Sequence, residues 1–160
     1  MRWLIRISVT LLLLALIGVG YQIVGMVQDR KQYPPPGQLI DVGGYKLHLY
    51  CTGEGSPTVV LEAMGTGWSV YWAKVQPELS KTTRVCSYDR AGFGWSESGP
   101  LPRTGTQIAE ELHQLLTHGG ISGPYVLVGH SLGGFVARLY RQAHPEEVAG
   151  IVLVDAGHER

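Results

Sequence analysis

The chain has 160 residues, 13 basic and 13 acidic side chains and an apolar share of 44%, which fits one globular domain and excludes a disordered or fibrous chain. With no net charge and its Lys and Arg spread along the sequence, it offers no electrostatic reason to expect a nucleic-acid partner. The expected partner is a small molecule.

The N-terminus departs from this composition. Ile7 to Val27 contains no charged residue, and Leu11 to Val19 is almost purely aliphatic; about twenty such residues can cross a bilayer as a helix. Arg2 and Arg6 precede the stretch and Asp29, Arg30 and Lys31 follow it. This charge placement favours a cytoplasmic N-terminus only weakly and puts the remainder outside the cytoplasm. A cleaved signal peptide is the alternative, with Ile7 to Gly20 as its apolar region and Gly18 and Gly20 near the cleavage site, which would give a secreted protein. The apolar run continues past that site and favours an uncleaved anchor. The expected division is an anchor over 1–30, a proline-rich linker over 31–37 around Pro34, Pro35 and Pro36, and a folded domain over 38–160.

After the linker, strands and helices alternate, the pattern of an α/β sheet with helices packed on its faces. Leu39 to Val42 and Tyr45 to Tyr50 flank Gly43 and Gly44, a hairpin signal that makes the first two strands antiparallel. A third strand is expected at Thr58 to Leu61, a helix from about Trp72 to Ser80, and a fourth strand at Arg84 to Tyr88. Ile108, Leu112, Leu115 and Leu116 recur at helical spacing within Thr106 to Thr117. Tyr125 to Val128 reads as a strand buried on both faces, followed by a helix over Phe135 to His144 and a sixth strand at Gly150 to Val154. Two cysteines, Cys51 and Cys86, are too few for the usual zinc site and form no CxxC pair. They read as a disulfide, which an oxidising compartment permits, or as two small buried thiols. No cofactor or metal is implied, and oligomeric state is not encoded in any visible pattern.

The chemical signal is Gly129, His130, Ser131, Leu132 and Gly133, a G-x-S-x-G motif between a buried strand and a helix. A sharp strand-to-helix turn lifts the serine hydroxyl from the sheet edge, and flanking glycines keep Cβ atoms off the neighbouring backbone. The Leu132 amide then faces a developing oxyanion, assisted by the positive end of the following helix.

On this motif and its context, the sequence from about Gln38 onward resembles the α/β-hydrolase superfamily, in particular esterase, lipase and peptidase-like members with a GHSLGG elbow. The resemblance implies a mostly parallel sheet with helices on both faces; the sequence is expected to stop after the sixth strand of it, and the apolar N-terminal run precedes it as one transmembrane helix. It implies acyl transfer through a Ser131 acyl-enzyme, with esters or related acyl compounds as substrates and no cofactor. Leu61 to Gly65 looks like the family's source of a second oxyanion donor, and the Met64 amide is the candidate, although Glu62 and Ala63 stand where many members have His-Gly. Asp89 and Arg90 look like residues that tie down the loop after the fourth strand. The implied sheet order sets Cys51 beside Cys86, which makes a cross-strand disulfide a hypothesis.

In the family the acid usually follows the seventh strand, less often the sixth, and the histidine follows the eighth. Asp155, after the sixth strand, is the candidate acid, with a structural hydrogen-bonding role as its alternative. No base is found. His158 sits three residues from Asp155 on the same loop, His130 is carried on the elbow and expected to pack, and His113, His118 and His144 are expected to be solvated on helix surfaces. The expectation is therefore an incomplete, poorly active chain with the sixth strand as an open apolar edge. A non-catalytic, membrane-tethered binding module of the same fold is the alternative.

Overall fold

The computed structural model describes residues 2–157, leaving out the side chain of Arg30; His158 lies outside the described residues. Two compact units divide between Pro35 and Pro36. The first contains helix α1, Arg2–Gln32, long and apolar enough to cross a membrane over Arg2–Asp29. The helix continues beyond that span to Gln32 because nothing in Gln28–Gln32 interrupts it. Pro34 disfavours helical backbone at the residue before it.

The second unit is built on one six-stranded sheet in the order β1-β2-β4-β3-β5-β6. Its strands are β1 Gln38–Asp41, β2 Lys46–Thr52, β3 Thr58–Glu62, β4 Val85–Tyr88, β5 Tyr125–His130 and β6 Val148–Val154. β1 pairs antiparallel with β2 and β2 with β4, whereas β4, β3, β5 and β6 run parallel. In the β1–β2 turn, Gly43 and Gly44 adopt φ of 108° and 100°, and both amides donate to Asp41 Oδ1. The helices are α2 Gln76–Leu79, α3 Gly105–His118 and α4 Leu132–Ala143, with 3₁₀ turns at Ser69–Trp72 and Pro145–Glu147.

Because successive strand residues point to opposite faces, each central strand feeds two cores. Val60, Cys86 and Leu127 pack with Leu112, Leu115 and Leu116 of α3 and Val136 and Tyr140 of α4. Leu61 and Val85 pack with Trp72, beside Val59, Val128 and Leu79. Helices therefore cover both faces. Cys51 and Cys86 are paired residues of β2 and β4 and are joined by a disulfide.

Two elements differ from the sequence reading. The stretch expected as one helix over 72–80 is a 3₁₀ turn and a single helical turn, with Pro77 at the start of α2 unable to donate to a preceding carbonyl. Gln76, the first residue of α2, buries its side-chain amide, which donates to Tyr50 O, Thr52 Oγ1 and Val85 O. The helix expected from Phe135 begins instead at Leu132, directly after Ser131. Gly133 and Gly134 are poor helix formers by propensity, yet packing requires them.

Candidate functional site

Ser131 occupies the turn between β5 and α4 with φ 53° and ψ −116°, a backbone conformation that L-residues adopt only at a cost of about 1–3 kcal/mol. Its amide donates to Val154 O of β6 at 3.1 Å, and its carbonyl accepts from the Gly134 amide at 3.1 Å. Glycine is required around it by contact. A Cβ on Gly129 would lie 2.5 Å from the Gly133 carbonyl and Gly134 Cα, one on Gly133 would overlap the Glu62 and Ala63 carbonyl oxygens, and one on Gly134 would overlap Ala156 Cβ. Ser131 itself is exposed at the surface of this packed turn.

The end of β3 meets the elbow through this packing. Glu62 pairs with Gly129 in the parallel register, so the chain after Glu62 runs beside the start of α4; a Cβ on Gly65 would stand 3.5 Å from Leu132 Cδ2. Leu132 is the first residue of α4, where an amide has no intrahelical acceptor. The structure thus brings Ser131, Leu132 and the Met64 segment together.

Glu62 and Arg90 fix the Met64 segment from below. Both are buried, and Arg90 Nη1 lies 3.2 Å from Glu62 Oε1. Tyr88 hydroxyl donates to Glu62 Oε2, while Arg90 Nη2 donates to the Met64 carbonyl. Burial pushes the Glu62 carboxyl up to about 7 against the opposing pull of Arg90 and the Tyr88 hydrogen bond. Glu62 is therefore matched by a guanidinium that also reaches the loop carbonyl.

Asp89 holds the loop after β4. Its Oδ1 accepts from the Ser69 amide at 2.7 Å and its Oδ2 from the Trp95 amide at 2.9 Å. Burial favours its protonated form, but the hydrogen bonds from His48 and from the Trp95 and Ser69 amides outweigh it and hold the carboxyl below its ordinary value. His48 Nδ1 stands 3.0 Å from Asp89 Oδ2, and its other ring nitrogen meets the Pro36 carbonyl. This fully buried pair was not read from the sequence, since no local spacing links positions 48 and 89. It cannot serve Ser131: β2 stands three strands from β5 in the sheet, about 14 Å at the usual strand spacing.

Asp155 follows β6 with φ 45°, next to the Val154 carbonyl that holds the Ser131 amide. It is exposed, and among the described residues its carboxylate makes no hydrogen bond or ion pair, so the structural hydrogen-bonding alternative finds no partner there. The His130 ring stacks on Tyr71 with centroids 5.7 Å apart, a packing role. His113 and His144 correct the expectation of solvated helix-surface rings: both are half-buried and stacked on each other with centroids 3.9 Å apart. His118 is exposed, with Nδ1 2.7 Å from Asp41 O. Among the described residues, no histidine hydrogen-bonds the Ser131 hydroxyl.

Comparison with known proteins agrees with this architecture. Residues 57–159 match the family described as alpha/beta hydrolase fold. An AB hydrolase superfamily protein of Gibberella zeae is 33% identical over 108 residues, covering 65% of this chain and 34% of its own length. An uncharacterized vacuolar membrane protein of Saccharomyces cerevisiae is 32% identical over 133 residues, covering 72% of this chain and 21% of its own. Among solved structures, a thermophilic esterase from Thermogutta terrifontis superposes with a TM-score of 0.66 at 31% identity, over 71% of this chain and 41% of that one. The chain spans less than half the length of these relatives. On the matched segment, the six-stranded mixed sheet and the strained serine turn between β5 and α4, the chain belongs to the alpha/beta hydrolase fold family.

Proposed function

We propose that Ser131 is the nucleophile of a serine hydrolase that cleaves carboxylic esters or related acyl compounds. The observation that carries this reading is the backbone of Ser131. A merely structural turn gains nothing from serine at φ 53°, where glycine would sit without strain, whereas a nucleophile gains an exposed hydroxyl at the head of a helix. In the reaction, Ser131 Oγ attacks the acyl carbonyl and its proton passes to a base, while the Leu132 and Met64 amides receive the charge that builds on the carbonyl oxygen. The tetrahedral adduct then collapses, breaking the bond to the leaving alcohol, which takes the proton from the base; water, deprotonated by the same base, attacks the acyl-enzyme and releases the carboxylic acid and free Ser131. Asp155 is the candidate to orient the base. No base stands at Ser131 among the described residues, so residues 2–157 acting alone turn over poorly.

The anchor reading places the hydrolase unit outside the cytoplasm behind α1, with secretion after signal cleavage as its alternative. The Cys51–Cys86 bond supports an oxidising compartment, and the apolar span of α1 supports the anchor.

A second reading, compatible with no histidine hydrogen-bonding Ser131 among the described residues, is a membrane-tethered module of this fold that binds a small acyl ligand without cleaving it. A fluorophosphonate probe separates the two on the protein as the cell makes it. Labelling that disappears in Ser131→Ala supports the hydrolase; an unlabelled, folded wild type leaves only the binding module.

A further inference from the structure

We propose that His113, His144 and Glu147, with Glu110 beside them, form a binding site for a divalent transition metal of the zinc type. His113 lies on α3, His144 closes the C-terminus of α4 and Glu147 belongs to the following 3₁₀ turn. The ligand atoms of His113, His144 and Glu147 all lie within 4.8 Å of one another. His113 Nδ1 stands 3.3 Å from Glu147 Oε2 and His144 Nε2 stands 3.9 Å from Glu110 Oε2. Zinc bonds of about 2.0–2.1 Å in a tetrahedron set ligand atoms roughly 3.3–3.4 Å apart, so these groups are near the required spacing already.

Three further features point the same way. His144 Nε2 is buried without a hydrogen-bond partner, and a buried polar atom of this kind calls for a ligand. Glu147 is oriented by the Tyr140 hydroxyl, which donates to its Oε2 at 2.5 Å, the kind of outer contact that aims a ligating carboxylate. The donor set of two imidazoles and two carboxylates suits zinc, nickel or copper better than calcium or magnesium, which prefer oxygen alone. The rings are nearly parallel at 7°, so their lone pairs do not yet converge, and metal binding requires the His144 ring to turn about its side-chain bond. Both cysteines are bonded to each other and do not compete.

The site sits at the far end of α4 from Ser131, about 18 Å along a helix of 12 residues. Its role is to clip α3, α4 and the start of β6 together. Zinc titration by calorimetry, on the full chain in detergent and free of any histidine tag, is expected to show one equivalent bound, and Co²⁺ in its place to show the visible bands of a tetrahedral ion. His144→Gln and Glu147→Gln should each weaken binding at least 100-fold, and Tyr140→Phe, which removes only the outer contact, about 10–100-fold. His118→Gln should leave binding unchanged. A wild type without tetrahedral cobalt bands overturns the proposal even if a variant fails to fold. Unchanged affinity in His144→Gln and Glu147→Gln overturns it as well.

Discussion

Replacing Ser131 separates the chemistry of its hydroxyl from the strain of its backbone. Ser131→Ala and Ser131→Gly both remove the hydroxyl, but only glycine adopts φ 53° and ψ −116° without penalty. The strain to be recovered is about 1–3 kcal/mol, and glycine gives back roughly 0.5–1 kcal/mol through the greater freedom of its unfolded chain. The glycine variant should therefore be the more stable by about 1 kcal/mol, or about 4 °C in melting temperature for a unit of this size. The assay is thermal unfolding of the two variants side by side, followed by circular dichroism in the same detergent. Neither variant should react with a fluorophosphonate. If Ser131→Gly melts at or below Ser131→Ala, the turn is not strained as described, and the backbone argument for a nucleophile fails.

Arg90→Met should cost about 1–3 kcal/mol in urea unfolding at neutral pH, because the Glu62 carboxyl, already raised to about 7, takes up a proton and is left buried without its partner, and it should lower the reactivity of Ser131 by freeing the Met64 carbonyl. Asp89 has a folded pKa below its ordinary 3.8, so in that window the unfolded chain binds more protons. Its contribution is present above 3.8 and lost as the pH falls through the lower folded value; acid unfolding of Asp89→Asn should show a shallower loss there than wild type. Reduction of the Cys51–Cys86 bond, whose partners are 35 residues apart, should cost about 4 kcal/mol by loop-closure entropy, measured by denaturant unfolding with and without reductant. Alkylation that finds two free thiols before reduction would refute the bond itself.

The sheet was largely legible in the sequence because its strands are short β-branched or apolar runs separated by glycine and proline, and the elbow announced itself as a motif in its proper context. What local pattern could not show was long-range exchange of partners. Trp72 to Ser80 has helical composition, but Pro77 stands in the first turn of α2 and the buried amide of Gln76 is tied to three acceptors of β2 and β4, so only one helical turn forms there. Gly133 and Gly134 argue against helix by propensity and for it by contact, since only a residue without Cβ lets α4 start against Glu62 and Ala156. His48, His113 and His144 were misread or missed for one reason: their partners lie 41, 34 and 34 residues away in sequence.

The hydrogen bond from the Ser131 amide to Val154 O ties the site to the outermost strand. β6 ends the sheet order, and Val152, Leu153 and Val154 are exposed along it. Whenever that strand frays, the serine turn loses the carbonyl that pins it, so the Ser131 amide proton exchanges with solvent as readily as the rim opens. The aim of the Ser131 hydroxyl is thus coupled to β6, and a partner laid along that strand would slow exchange of the Ser131 amide.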